Sequence, residues 1–490
     1  MNNSNVNWTA THADAVAAAD GEFILPNDLP DVKRIVNTVT QVSGCRTFLE
    51  GQTVSAEGEL CVKILFTGDD SNLHCAGYKL PFSVSAALRE SDGARVAAAL
   101  YGQPDTQTRL SNPRKFSVRI KVPVVFAVRL ANEWEPFIDG VQDSGLQYKT
   151  VTTVTYAAST VTEDDIPYAE DLHIPESYPE PDRMICGIFI PSAPVVSPSD
   201  GTAEITFNAD AVLLYLTEDG VTECFKTQVT VTHQTDDDSI TPGSVCSCRV
   251  YVKDQKFSLT TDKSGRLRTV ELDVTYSVSL LCETEKELTY TEDMFSTEKY
   301  SSAEYGDITL RRVGLPYTTH VTVSGETKAI PDTRIITATS ACRDVNCERT
   351  NGQTAVGGVM DAYIVYEESG EYKTLTVPVP FRVMIPYSSP ENSELYAYVT
   401  SGSPNVRADG DKIYVDAELY IRLCAESTCK DRAVTVFRIS DRQRERDKTS
   451  LRLYRPNGET VWSVAKKFGV PVAELEKYNG GTDGTVLIIP

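Results

Sequence analysis

Twelve cysteines and five histidines are the residues with the widest chemical reach in this 490-residue sequence. The histidines stand at 12, 74, 173, 233 and 320, and no two share the i, i+4 spacing of a helical metal site. A Ser-His-Asp triad is assembled in space, but nothing in this scatter argues for one. Cys246-Ser247-Cys248 and the C-x4-C pairs Cys342/Cys347 and Cys424/Cys429 lack the second pair that a zinc site requires. They read as core or edge-strand thiols. Glu163-Asp164-Asp165 and Asp236-Asp237-Asp238 read as solvated loops rather than calcium sites. Gly480-Gly481-Thr482-Asp483-Gly484 is a turn, not a phosphate-cradling loop. The expectation is no catalytic residue, no metal and no cofactor. Binding chemistry is better represented: Trp462, with Arg455, Asn457 and Glu459, has the aromatic and arginine types that anchor partner surfaces. Its competing structural role is to cover a small core.

These residues lie in a compact pattern. Leu451 to Tyr454 reads as a strand, and Thr460 as the N-cap of a helix carrying Val461, Val464, Ala465 and Phe468. Gly469 ends that helix, Val472 to Tyr478 forms a second, and Val486 to Pro490 closes as a strand. The order is βααβ. Just upstream, the segment 438–455 holds seven basic residues against three acidic ones, the only basic island on a chain of net charge −22. Such an island could steer toward an acidic partner.

The rest of the chain repeats with a period near 150 residues. Arg34-Ile35-Val36 matches Arg334-Ile335-Ile336, and Gly51-Gln52-Thr53 matches Gly352-Gln353-Thr354. Leu65-Phe66 matches Val365-Tyr366, and Pro81-Phe82 matches Pro380-Phe381. Leu29-Pro30-Asp31 also matches Ile330-Pro331-Asp332. A middle copy carries Pro181-Asp182-Arg183-Met184-Ile185, Gly201-Thr202 and Leu214-Tyr215, and lacks the Pro-Phe pair. Each copy ends in an alternating run: Val118 to Val128, Val270 to Leu280, and Ile413 to Leu423. Alternation with period two indicates strands with one packed face. The fold class is therefore mainly β: three tandem antiparallel sandwich-like modules plus the small βααβ domain. The boundaries read as an N-terminal arm at 1–28, modules at 29–149, 150–300 and 301–437, a charged linker at 438–448, and the terminal domain at 449–490.

An acidic chain of pI about 4.7 repels nucleic acid and anionic lipid. The polar start Met1 to Trp8 does not resemble a signal peptide, and no stretch approaches the roughly 18 apolar residues of a helical span. With cysteines such as Cys61 and Cys424 inside apolar runs, the expectation is a cytoplasmic protein with free thiols and no membrane insertion.

The terminal segment resembles the LysM domain. Gly458-Glu459-Thr460-Val461-Trp462-Ser463-Val464-Ala465-Lys466-Lys467-Phe468 matches the family's opening, followed by Leu475, Tyr478-Asn479 and Leu487-Ile488-Ile489-Pro490. The resemblance implies a glycan site between the loop opening the first helix and the loop after the second. Its residues here would be Arg455, Asn457, Gly458, Glu459, Thr460, Trp462 and Asn479. The stretch Asn479 to Thr485 is short and lacks the family's usual Pro-Gly-Gln, which weighs against sugar. The upstream repeats resemble the SPOCS domain of sporulation proteins, on Glu57 to Phe66 with Pro81-Phe82 and on Gly358 to Tyr366 with Pro380-Phe381. That order of domains is similar to clostridial spore-morphogenesis factors. It implies a non-enzymatic adaptor in the mother cell, at the forespore surface, in coat assembly and engulfment. The implied partner is the coat's basement-layer morphogenetic ATPase, docked through LysM. Peptidoglycan or another N-acetylglucosamine glycan is the alternative ligand, and an enzyme is the third reading.

Overall fold

A computed structural model describes residues 6–89, 93–140, 145–328, 333–389, 392–445, 452–480 and 486–490. Ile330-Pro331-Asp332, Arg446, Asp447, Lys448, Leu451 and the turn residues Gly481 to Gly484 lie outside that set. The protein is mainly β, with antiparallel sheets throughout the body and two short helices near the C-terminus.

The first repeat comprises β1 (Val6–Ile24), β2 (Val32–Glu50), β3 (Thr53–Gly68), β4 (Leu73–Ala87), β5 (Ala94–Tyr101), β6 (Asp105–Asn112) and β7 (Lys115–Glu133). A connector strand, β8 (Phe137–Asp139), precedes the second. There β9 (Leu146–His173), β10 (Pro181–Pro191), β11 (Val195–Ser199), β12 (Thr202–Thr217), β13 (Thr222–Asp236), β14 (Val245–Thr261) and β15 (Leu267–Ser296) follow. The third has β16 (Lys299–Val313), β17 (Tyr317–Lys328), β18 (Thr333–Thr350), β19 (Gln353–Glu368), β20 (Glu371–Ile385), β21 (Ser393–Ser401), β22 (Asn405–Asp409) and β23 (Lys412–Gln443). Each repeat pairs a meander (β2-β3-β4, β10-β12-β13 or β18-β19-β20) with a sheet organised about one long strand, β7, β15 or β23. Residues 6–24, which the sequence suggests as an arm, pair with β7 along their whole length, from Val6 opposite Glu133 to Ile24 opposite Lys115. They hold the place that β9 holds beside β15.

Alternation does the packing. Val118, Ile120 and Val122 of β7 are buried while Arg119 and Lys121 between them are exposed. The inward set meets Val54, Leu60, Val62, Ile64 and Phe66 of β3 in one core, and equivalent cores lie in the other two repeats. Burying each such side chain contributes about 1.5–3 kcal/mol. The repeated motifs have local causes. Gly51, Gly201 and Gly352 all take positive φ (57°, 72° and 77°) at hairpin turns, where a side chain would be strained. Phe82 and Phe381 lie opposite Gly58 and Gly358, and a Cβ on either glycine would sit within 3.0 Å of the ring. In the middle repeat the equivalent pair is Phe207 opposite Val231, so the aromatic sits on the strand that carries glycine in the other two, and the smaller side chain faces it. The prolines of the Pro-Phe pairs sit on edge strands, where a lost N–H leaves no gap in a ladder.

The three meanders close a ring. Strand β4 meets β10, β13 meets β18, and β20 meets β2. Arg334 donates to the Thr222 carbonyl at 2.6 Å, and Arg34 donates to the equivalent Tyr372 carbonyl at 2.5 Å. The two repeated arginines therefore tie neighbouring repeats together. A shared apolar core sits at the centre, with Val36 and Leu65, Ile188 and Leu214, and Ile336 and Val365 contributed by the three repeats in turn. At the other side β1, β9 and β16 touch one another. A buried chain of charges links the repeats there: Arg129 pairs with Glu283 at 2.6 Å, Glu283 with Arg311 at 2.5 Å, and Arg311 with Glu426.

All twelve cysteines are free thiols. Burial pushes Cys224 up to about 11 and Cys248 up to about 12, which keeps both protonated and unreactive near neutrality. Among the described residues no group of three or more His, Cys, Asp or Glu could hold a metal ion, and no helix is long and apolar enough to cross a membrane.

Candidate functional site

The C-terminal segment folds as β24 (Arg452–Tyr454), α1 (Val461–Phe468), α2 (Val472–Asn479) and β25 (Leu487–Ile489). Thr460 caps α1 by accepting the Ser463 N–H at 3.2 Å, and Gly469 ends it at φ 64°. Strands β24 and β25 pair antiparallel. Asn479 reproduces a ladder rung with its side chain. It accepts from Ile488 N–H at 2.7 Å and donates to the Ile488 carbonyl at 2.8 Å, fastening the end of α2 to β25.

Eight-residue helices and three-residue strands bury little area, and the body makes up the difference. Phe295 of β15 enters the domain's core beside Val464, Ala465, Leu475 and Leu487. Its ring meets Trp462 edge-on, 5.1 Å between centroids. Asp293 accepts from Trp462 Nε1 at 2.8 Å, from Lys466 Nζ at 2.6 Å and from the Tyr305 hydroxyl at 2.6 Å. The Arg432 guanidinium covers the Tyr305 ring at 3.5 Å. Trp462 thus clamps the domain to the body, which leaves its indole nitrogen occupied.

Burial alone would raise the Asp293 carboxyl, but Lys466, Tyr305 and Trp462 outweigh it and hold the group below its ordinary 3.8. Burial would lower Lys466, yet Asp293 and Tyr305 hold it above its ordinary 10.5. The depressed carboxylate stabilises docking above its ordinary value, and the contribution is lost as pH falls through the lowered one. The raised ammonium stabilises docking below 10.5, and its contribution is lost as pH rises through the raised value. Trp462 fluorescence, read in a chain with Trp8→Phe and Trp134→Phe, is expected to stay flat between about pH 5 and 9 and to change below about pH 4.

An open groove of about 720 Å³ runs beside this clamp. Pro456, Gly458, Glu459, Thr460, Val461 and Trp462 line it together with Val472 and Glu476 of α2 and Lys149 of β9. Of the seven site residues expected from sequence, Gly458, Glu459, Thr460 and Trp462 come together here. Glu459 is held by the Tyr454 hydroxyl and by Lys467 Nζ at 3.2 Å. Arg455 and Asn457 are exposed but do not line the groove, and Asn479 is engaged with β25. Lys149, Asp293, Phe295 and Tyr305 come from far upstream, with no local signal to mark them. Among the described residues of the basic stretch, Arg438 pairs with Glu304, while Arg442 and Arg444 lie over the Tyr300 ring at 5.1 and 5.2 Å.

The model of one family, the LysM domain, matches residues 457–490. No curated protein matches the chain. The matched unit is a binding module rather than a catalytic one, and it places a capacity for peptidoglycan or related carbohydrate at the C-terminus.

Proposed function

We propose that the protein is a non-enzymatic binding scaffold whose C-terminal groove holds a glycan chain of N-acetylglucosamine units. The supporting observation is the coincidence of the LysM match with an open groove lined by Gly458 to Trp462 and by α2. The groove offers apolar surface from Val461, Val472 and the Trp462 ring, with Glu459, Glu476 and Lys149 as polar groups at its rim. That mixture suits sugar rings, which present C–H faces and hydroxyl edges. Titration of the full chain with an N-acetylglucosamine oligomer is expected to give saturable binding, weakened at least tenfold by Glu476→Arg, which projects a long side chain into the groove. Equal affinity in that variant would remove the groove from consideration.

A finer reading makes the scaffold an adaptor of spore-coat assembly and engulfment, in the mother-cell cytoplasm at the forespore surface. It takes the coat basement-layer ATPase, rather than glycan, as the ligand. The SPOCS-like repeats ahead of the LysM domain and the short stretch after Asn479 support it. Direct binding of the purified ATPase to the full chain, lost in Glu476→Arg, is its test. Absence of binding alongside intact glycan affinity would eliminate it.

A further inference from the structure

Where the three repeats meet around the buried charge chain, they enclose a cavity of about 100 Å³. Every repeat contributes to its lining. Arg129 comes from the first, Arg249 and Glu283 from the second, and Arg311, Arg422 and Glu426 from the third. Four arginines therefore face two carboxylates, an excess of two positive charges at the centre of a chain whose net charge is −22. The excess can be assigned. Arg129, Glu283, Arg311 and Glu426 satisfy one another in the chain of pairs described above. Burial would raise the Glu283 carboxyl, but Arg129 and Arg311 outweigh it and keep the group ionised. Burial and Arg129 lower His12, which also lines the cavity, so it adds no charge near neutrality.

Arg249 and Arg422 remain, with no carboxylate within ion-pair distance among the described residues. Arg249 lies over the Tyr398 ring at 5.1 Å. Arg422 is only 9% exposed and donates one terminal nitrogen to the Cys246 carbonyl. Among the described residues its Nε has no hydrogen-bond partner, and neither does the buried Thr400 Oγ1, which lines the same cavity. A buried guanidinium without a counter-charge is costly, and an unpaired buried hydroxyl adds to the cost. Both costs are removed by one occupant carrying negative charge and several acceptor oxygens.

We propose that this cavity is a binding site for a small doubly charged oxyanion, of which inorganic phosphate is the simplest member. The volume exceeds the roughly 10–15 Å³ that a single water needs and leaves room for a tetrahedral oxyanion. Arg249 and Arg422 supply the charge and a forked donor set, which suits such oxygens. Thr400 donates its hydroxyl. Because the lining comes from all three repeats, the anion also braces the ring, and its binding free energy adds to the stability of the assembled body.

Calorimetric titration of the full chain with inorganic phosphate at constant ionic strength, with chloride as the control salt, tests this. The expected result is one site per chain and a rise in the thermal unfolding midpoint that chloride does not produce. Arg422→Met is expected to weaken binding at least tenfold, while Arg119→Gln on the surface leaves it unchanged. Should Arg422→Met fail to fold, Thr400→Val, which keeps the shape and removes only the hydroxyl, is expected to weaken binding several-fold. Absence of both heat and midpoint shift at millimolar phosphate overturns the proposal. An equal shift in Arg422→Met or in Thr400→Val overturns it too.

Discussion

Glu283→Ala is expected to destabilise the body by roughly 3–5 kcal/mol, the cost of breaking a buried ion pair from one side. Glu283 is 6% exposed and accepts from two arginines of two other repeats, Arg129 at 2.6 Å and Arg311 at 2.5 Å. Truncation leaves Arg129 buried with no carboxylate partner among the described residues, while Arg311 keeps only Glu426. The comparison that isolates the cause is Asp20→Ala. It breaks a pair of similar length, 2.8 Å to Arg119, in which both side chains are about two-thirds exposed. That loss should stay below about 1 kcal/mol. Urea unfolding of the two variants, repeated at high salt, measures both. The Glu283 effect should survive the salt, since buried charges are poorly screened. Equal losses in the two variants would mean that the chain of charges does not hold the repeats together.

Phe295→Ala is expected to cost about 3–5 kcal/mol as well, but in a different place. The side chain is 1% exposed and belongs by sequence to β15, yet it packs in the core of the C-terminal domain. Removing it leaves a hole between the two. The repeats keep their own cores, so the variant should unfold in two steps, the C-terminal domain first, where the parent is expected to melt as one unit. Trp462→Phe, which keeps the ring contact and removes the 2.8 Å bond to Asp293, should cost only about 1 kcal/mol. A single unchanged transition in Phe295→Ala would show that the domain stands independently of the body.

Local features were legible from sequence where a residue type has one physical cause. Positive φ explains the repeated Gly51 and Gly352, an N-cap bond explains Thr460, and alternation from Val118 to Val128 predicts the buried face of β7. The Pro-Phe pairs were visible as a repeat, but their cause, a ring lying over Gly58 or Gly358, needs the cross-strand register. Residues 6–24, within the stretch 1–28 that reads as an arm, conceal their strand because the partner lies about a hundred residues downstream, beyond any periodic pattern. Closure of the ring was hidden for the same reason, since Arg34 reaches a carbonyl 338 residues away. At the groove, Gly458 to Trp462 carried a motif. Lys149, Asp293 and Phe295 did not, because their roles come from docking two folded units together. Asn479 carried the family pattern but serves the fold, so a motif match located the domain better than it assigned each residue's work.

The groove between Gly458–Trp462 and α2 is the proposed place where this protein takes its ligand. Hydrogen–deuterium exchange on the full chain, with and without a saturating N-acetylglucosamine oligomer, tests it most directly. Slowed exchange is expected at residues 456–462 and 472–476 and around Lys149, with the rest of the three repeats unchanged. Protection confined to the repeats, or none at all under conditions that saturate a known LysM protein, would contradict it.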